Sequence, residues 1–145
     1  MTLDDDGLRF DDHRWVAHVL VARAGRYLVL KRGADRYLGG RWDLPGGTVE
    51  PGEDLRAAAE REAAEEAGLV VRATDELARF SNADTRGRPI CYHTVTFLGT
   101  EADPEAEVVT APEEHDEHRW LTLEETLRLD LVRHVRRAFD ALADR

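Results

Sequence analysis

Three glutamates in a polar stretch of the chain have the spacing of one helical face. At about 100° per residue, Glu62, Glu65 and Glu66 fall within an arc of roughly 100°. Charges of the same sign at these spacings repel one another, so a bound cation would stabilise the face. Hard divalent cations take oxygen ligands, and Mg²⁺ is usually held by a few carboxylates together with water and substrate phosphate oxygens. The three glutamates have that composition.

Residues just before this face could support such a site. Gly46 and Gly47 let the backbone approach a ligand closely and free carbonyl groups to turn inward. Arg61 follows Glu53 by eight residues, and a bidentate pair between them would brace the preceding loop against the helix. We expect this pair to hold the neighbouring Glu62 in place.

A helix over residues 54–67 is predicted to carry the glutamates. The segment lacks Gly and Pro and is dense in strong helix formers, and Gly68 suits the position just after its end. Leu55, Ala58 and Ala59 project from the same arc one or two turns earlier. The face therefore begins by packing against a sheet and ends in carboxylates.

Apolar runs predict the strands that this helix packs against. Residues 16–21 and 27–30 flank Ala24-Gly25 and predict an antiparallel hairpin. Residues 69–80 and 90–98 predict two further strands, joined by an exposed loop over 81–89 that could border a pocket.

The remaining segments complete one α/β or α+β domain. A polar loop is expected over 31–41, a short strand over 42–44, a loop over 45–47 and irregular chain over 101–117. A terminal helix is predicted from the apolar spacing of Leu127, Leu131, Val135, Phe139 and Leu142.

Size and charge limit the function further. A chain of 145 residues suits one domain, and a net charge of −10 disfavours a nucleic-acid partner, so an anionic substrate would need a local cation. The single cysteine, Cys91, cannot form an internal disulfide, residues 1–6 lack signal-peptide features, and no apolar run approaches the ~20 residues of a membrane helix. We expect a cytoplasmic protein without membrane contact and with a flexible acidic N-terminus over residues 1–12.

Residues 47–69 resemble the signature of the Nudix (MutT-like) hydrolases. In that signature a Gly is followed after five residues by Glu, after seven more by Arg-Glu, and then by an apolar residue, Glu-Glu and Gly at fixed intervals. Every fixed position is filled, in order by Gly47, Glu53, Arg61, Glu62, Glu65, Glu66 and Gly68. Ala63 is a small occupant of the apolar position, and residues 42–46 and 120–121 also resemble the family's flanking sequences.

The resemblance implies a fold, a reaction and a set of site residues. The fold would be a Nudix-like α/β/α sandwich with a mixed sheet over residues 13–145, and the reaction a Mg²⁺- or Mn²⁺-dependent hydrolysis of a nucleoside diphosphate linked to another moiety. It assigns metal ligation to Glu62, Glu65, Glu66 and the backbone carbonyl of Gly46, and catalytic or orienting roles to Glu53, Arg61 and Glu65.

Many members add a glutamate from a loop outside the signature, acting as a base or an extra ligand. The loop before Trp120 offers Glu113, Glu114 and Glu117, and we favour Glu114 because it lies six residues before the tryptophan. Glu53 also remains open as the base.

Other side chains that could do chemistry have simpler interpretations. His115 and His118 are expected to be solvated rather than zinc ligands, because no cysteine or third histidine lies near them in the sequence. Cys91 is expected in the core. The aromatic residues Trp42, Phe80, Tyr92 and Phe97 are expected in the core rather than stacked on a base, and the terminal helix's Arg128, Arg133, Arg136 and Arg137 on a solvated face.

The first functional expectation is a (deoxy)nucleoside triphosphate pyrophosphohydrolase, because the chain is short. An ADP-ribose or nucleotide-sugar pyrophosphatase is the first alternative, and a non-catalytic nucleotide-sensing domain is the second. The intact set of Glu and Arg residues disfavours the sensor. The expected partner is a small nucleotide-type substrate, and a homodimer is left open.

Overall fold

The computed structural model describes residues 2–3 and 9–145, which form a sheet between helices. The larger strands are β3 (Asp12–Arg23), β4 (Arg26–Arg32), β7 (Val71–Ala83), β8 (Ile90–Glu101) and β9 (His115–Leu121). The short strands are β1 (Thr2–Leu3), β2 (Arg9–Phe10), β5 (Trp42–Asp43) and β6 (Gly46–Thr48). The helices are α1 (Leu55–Ala67), α2 (Leu123–Leu127) and α3 (Arg133–Ala143).

Strand β3 organises the main sheet. The strand order is β5-β4-β3-β8-β7, with β6 paired to β3 and β9 paired to β4. Strand β3 runs parallel to β8 and antiparallel to β4 and β6, so the sheet is mixed. The β3–β4 hairpin turns at Ala24 and Gly25, where φ is 50° and 76°, which confirms the predicted turn.

The two faces of the sheet pack against different helices. Because side chains alternate along a strand, Val19 and Val21 of β3 join the buried alanines of α1 on one face. Leu20 joins Val135 and Phe139 of α3 on the other. This arrangement is the α/β/α sandwich that the sequence predicts.

Helix α1 begins and ends as expected from its sequence. The Asp54 carboxylate accepts a hydrogen bond from the Ala57 N–H at 3.2 Å and caps the first turn. Gly68 ends the helix in the left-handed region, with φ of 67°. The inward face is made of small residues that let the helix axis lie close to the sheet: Ala58, Ala59, Ala63 and Ala67.

Two expected loops contain strands. Residues 45–47 were expected as a loop, but β6 pairs with β3 because Gly46 has no Cβ, which would lie 2.5 Å from the Ala17 carbonyl oxygen. The segment expected to be irregular as far as residue 117 becomes strand β9 at His115. Pairing with β4, which sequence periodicity does not reveal, orders that end.

The predicted terminal helix is divided into α2 and α3. The Trp42 N–H donates to the Asp130 carbonyl and the Val132 N–H donates to the Trp42 carbonyl, both at 2.9 Å. These bonds hold the chain between the helices in an extended conformation beside β5. The single-helix expectation was wrong because apolar spacing cannot report this contact with a distant strand.

The expected flexible segment over residues 1–12 falls partly on residues 1 and 4–8, which lie outside the described part of the chain. Strand β1 pairs antiparallel with β2, and the Phe10 side chain is buried. No helix in the described ranges has the length and apolar character needed to cross a membrane.

Candidate active site

Strand β6 and helix α1 bring Gly47 and Glu62 into direct contact. A Cβ at Gly47 would lie 2.6 Å from the carboxylate carbon of Glu62, so any larger residue at position 47 would displace this carboxylate. The Glu62 side chain is 12% exposed. The sequence predicted that the glycine backbone approaches a ligand closely; in the structure, the Gly47 backbone lies close to the Glu62 carboxylate instead.

Arg61 binds Glu53 through two parallel hydrogen bonds, as predicted. Nε donates to Oε2 at 2.8 Å and Nη2 donates to Oε1 at 3.0 Å. Nη1 of the same guanidinium donates to Glu62 Oε1 at 3.0 Å and to Glu65 Oε2 at 3.2 Å. The hydrogen bonds from Arg61 to Glu53 lower the pKa of Glu53 to about 2, so Glu53 is a carboxylate at neutral pH.

The pKa of Glu66 is strongly shifted by its surroundings. Burial, together with the charge of Glu62, raises its pKa to about 9 from the ordinary 4.5. The Gly46 N–H opposes this shift and donates to Oε2 at 3.4 Å. Burial also raises the pKa of Glu62, against the opposing charge of Arg61. A nearby positive charge would favour the ionised forms of both carboxylates. Their oxygen atoms are also the ligands that a hard divalent cation takes.

The backbone of Gly46 faces this pair of carboxylates. Val19 N–H donates to the Pro45 carbonyl at 3.0 Å, and Val49 N–H donates to the Trp15 carbonyl at 2.9 Å. In an antiparallel ladder these bonds alternate, so both the N–H and the carbonyl of Gly46 point away from β3. The carbonyl therefore lies on the same edge of β6 as the N–H that contacts Glu66.

Glu65 differs from the other two glutamates of α1. Its side chain is 58% exposed and contacts Arg61, whereas Glu62 is largely covered. It lies at the solvent side of the carboxylate group.

Among the three loop glutamates, Glu114 lies nearest this site. Ligand atoms of Glu66, Glu114 and His115 lie within 4.8 Å of one another. The Gly33 N–H donates to the Glu114 carbonyl at 2.9 Å and fixes this part of the chain beside β4. Glu113 is exposed. Glu117, in β9, has a carboxylate oxygen 3.8 Å from the ammonium group of Lys31 in β4.

The expectation that His115 is solvated was wrong. Its side chain is buried because β9 begins there and pairs with Arg32 of β4. Burial lowers its pKa, and its Nδ1 has no hydrogen-bond partner in the described part of the chain. His118 is exposed, as expected.

A cavity of about 550 Å³ opens on the α3 side of the sheet. Its lining includes Tyr37, Arg41, Phe80, Asn82, Tyr92 and His134. The loops over 31–41 and 81–89 both contribute to the lining, which confirms the pocket predicted beside the second loop. Trp42, Phe97 and Cys91 are buried in the core, as expected. The expectation was wrong for Phe80 and Tyr92, which are half-buried and line the cavity.

Three of the four arginines of the terminal segment are exposed, as expected: Arg128, Arg133 and Arg137. Contrary to expectation, Arg136 is half-buried and donates to the Leu127 and Leu129 carbonyls at 3.1 and 2.8 Å. Arg133 lines the cavity, and the guanidinium of Arg137 lies 4.0 Å from the centre of the Phe80 ring. Both guanidinium groups lie over the Phe80 ring because α3 packs against strand β7, which carries Phe80.

The model of the NUDIX domain matches residues 11–142 of this chain. The chain belongs to the Nudix family. A nucleoside triphosphatase NudI from Escherichia coli O17:K52:H18 is 32% identical over 127 residues, which are 81% of this chain and 88% of the relative.

Solved structures agree with the Nudix fold. The solution structure of the E. coli ORF135 protein has a TM-score of 0.76 at 26% identity, covering 92% of this chain and 90% of that one. The crystal structure of a MutT protein from Methanosarcina mazei Go1 has a TM-score of 0.75 at 26% identity, covering 92% and 94%. The predicted family, fold and class of hydrolytic enzyme are thereby confirmed.

Sequence reasoning missed one group of polar residues beside the Nudix signature. Asp43 is buried in β5, and its charge contributes to the raised pKa of Glu66. His18 and His134 lie next to it. The only sequence signal was a charged residue inside the short apolar segment 42–44.

Proposed function

We propose that this Nudix protein hydrolyses nucleoside triphosphates in a metal-dependent reaction that releases pyrophosphate. The observation that carries the proposal is the group of neighbouring carboxylates formed by Glu62, Glu114 and the half-buried Glu66, whose pKa is raised to about 9. The NudI relatives, whose name is nucleoside triphosphatase, favour this substrate class.

Mg²⁺ or Mn²⁺ would be held by Glu62, Glu65, Glu66 and the carbonyl of Gly46, with Glu114 as a further oxygen ligand or base. When bound, the cation neutralises phosphate charge and lowers the pKa of water. The raised pKa values of Glu62 and Glu66 support this assignment, because a cation favours their ionised forms.

Glu53 and Arg61 act as positioning residues in this proposal. The bidentate pair joins the segment after β6 to α1 and presents Nη1 to Glu62 at 3.0 Å. A carboxylate whose pKa is near 2 is a weak base at neutral pH, so we assign proton transfer to Glu114 rather than to Glu53.

The nucleoside part of the substrate would occupy the cavity on the α3 side. Phe80 and Tyr92 offer aromatic faces, and Asn82 offers an amide for hydrogen bonding. A cavity of about 550 Å³ is in the range of small-molecule sites.

The test is a product screen with matched variants. The purified protein is assayed with Mg²⁺ or Mn²⁺ against nucleoside triphosphates, ADP-ribose and nucleotide sugars, with phosphorus NMR to identify the bond that is cleaved. We expect pyrophosphate and a nucleoside monophosphate from triphosphates, a loss of turnover by orders of magnitude in Glu66→Gln, and normal turnover in the control Glu113→Gln. Turnover confined to ADP-ribose or sugars would contradict the substrate class, and equal turnover in Glu66→Gln would contradict the site.

A further inference from the structure

Three side chains from distant parts of the chain converge between β3, β5 and α3. His18 and Asp43 have side chains that are only 4% and 5% exposed, and His134 in the first turn of α3 is 22% exposed. Asp43 Oδ1 lies 3.4 Å from His18 Nε2 and 3.7 Å from His134 Nε2. The two imidazole rings are 4.7 Å apart and tilted by 46°.

These separations fit shared coordination better than hydrogen bonding. Hydrogen bonds from N–H to oxygen cluster at about 2.7–3.2 Å, and both Asp43 contacts are longer. Ligands arranged tetrahedrally at about 2.1 Å from an ion lie about 3.4 Å from one another. Asp43 Oδ1 lies at nearly that spacing from each of the two nitrogens, and the ligand atoms of the three residues lie within 4.8 Å of one another.

A buried nitrogen of His134 also needs a partner. In the described part of the chain, His134 Nε2, which lies 3.7 Å from Asp43 Oδ1, has no hydrogen-bond partner. A buried polar atom without a partner is costly, and an ion or a water commonly accounts for it.

Surrounding groups fix the Asp43 carboxylate and leave part of it open. Arg32 Nη1 donates to Oδ2 at 2.9 Å, and the Leu44 N–H donates to Oδ1 at 2.8 Å. Arg32 is itself held by the Tyr37 carbonyl at 2.7 Å. Outer hydrogen bonds of this kind orient metal-binding carboxylates, and Oδ1 retains a lone pair that faces both imidazoles.

We propose that His18, Asp43 and His134 form a second metal site, specific for a borderline transition-metal ion such as Zn²⁺. Two imidazoles and one carboxylate suit such an ion, whereas the glutamate site offers the oxygen-only set of Mg²⁺. His134 lines the cavity, so water or a substrate oxygen can reach a remaining coordination position. The proposal does not depend on the identity of the hydrolysed substrate.

The test measures Zn²⁺ binding to the chelator-treated full-length protein in excess Mg²⁺ by calorimetry. The measurement is made in the Glu66→Gln variant, in which binding at the glutamate site is reduced. Any Zn²⁺ that still binds can then be assigned to the His18, Asp43 and His134 site rather than to the glutamates. We expect one Zn²⁺ per chain in this background. Adding His134→Ala should weaken it more than about 100-fold, because loss of a ligand exceeds the 10–100-fold cost of losing an outer contact.

Matched variants and a spectroscopic probe locate the ion. His118→Ala removes an exposed imidazole and should leave Zn²⁺ affinity unchanged. His134→Gln keeps the side chain's size in case the alanine variant is unstable, and circular dichroism checks the fold. Co²⁺ should give visible bands of a tetrahedral nitrogen and oxygen site. A thiolate-to-cobalt band would instead place the ion at the cluster of His13, Cys91 and His93.

Three results would overturn the proposal. They are equal Zn²⁺ affinity with and without folded His134 variants, a thiolate band for the bound Co²⁺, and no binding of Zn²⁺ in the Glu66→Gln background. The last result would mean that a water or a proton occupies the space between the three side chains.

Discussion

Replacing Glu66 by Gln should stabilise the metal-free protein at alkaline pH although it removes activity. Burial and the Glu62 charge raise the pKa of Glu66 to about 9, so the folded protein holds a proton there that the unfolded chain releases near pH 4.5. Between these values, the free energy of unfolding falls as pH rises. Gln cannot ionise and has no such dependence.

The magnitude follows from the size of the shift. Between pH 4.5 and pH 9, each pH unit lowers the free energy of unfolding by about 1.4 kcal/mol. An ionisable Glu66 therefore lowers it by at most about 3 kcal/mol at pH 7, and by more at pH 8. A divalent cation reverses the cost by binding the ionised form. At a concentration 100 times its dissociation constant it adds about 2.7 kcal/mol, which is of order 10 °C in Tm for a chain of this size.

The assay is urea unfolding from pH 5 to pH 9 in a chelator, followed by thermal unfolding across a Mg²⁺ titration. We expect the wild type to lose stability relative to Glu66→Gln as pH rises, and only the wild type to gain strongly from Mg²⁺. Glu113→Gln is the control and should follow the wild type. Parallel pH curves for wild type and Glu66→Gln, or equal gains from Mg²⁺, would refute the account of the buried carboxylate.

Two further substitutions test the geometry around this carboxylate. In Gly47→Ala the new Cβ would meet the Glu62 carboxylate at 2.6 Å and displace the end of this flexible side chain. We expect little change in stability but at least about tenfold weaker Mg²⁺ binding by calorimetry. Gly33→Ala meets its nearest atom at 3.4 Å and should change neither property; equal Mg²⁺ affinities of the two variants would contradict the steric argument. Glu114→Gln should lower kcat by about 10²–10⁴-fold and Glu117→Gln should not, measured as pyrophosphate release, and the reverse order would move the base to Glu117.

The best-predicted parts of the site lie within one stretch of sequence. Helix α1 follows from helix-forming residues between the Asp54 cap and Gly68, and the Glu53–Arg61 pair follows from a spacing of eight residues. Local preferences and short side-chain reach decide both features. The sequence also indicates that Glu62 and Glu66 share a face, although it does not show that Glu65 remains much more exposed.

The parts that were mispredicted depend on contacts between distant residues. Gly46 and Gly47 have the composition of a turn, but pairing with β3 makes them part of a strand. His115 looks like a loop residue, but pairing with Arg32 buries it. Sequence periodicity measures one segment at a time, so it cannot report which strand a glycine or a histidine will meet.

Contacts between distant residues also explain how a protein with a net charge of −10 could bind the proposed anionic nucleotide. Arg41, Arg86, Arg88 and Arg133 come from three separate segments and are brought together along one cavity. Arg88 is paired with Asp84 at 2.9 Å and Arg41 lies 3.8 Å from Asp130, so part of their charge is offset. At the roughly 10 Å screening length of 0.1 M salt, nearby side chains decide the attraction more than the total charge does. The cavity therefore offers the local cations that the overall composition conceals.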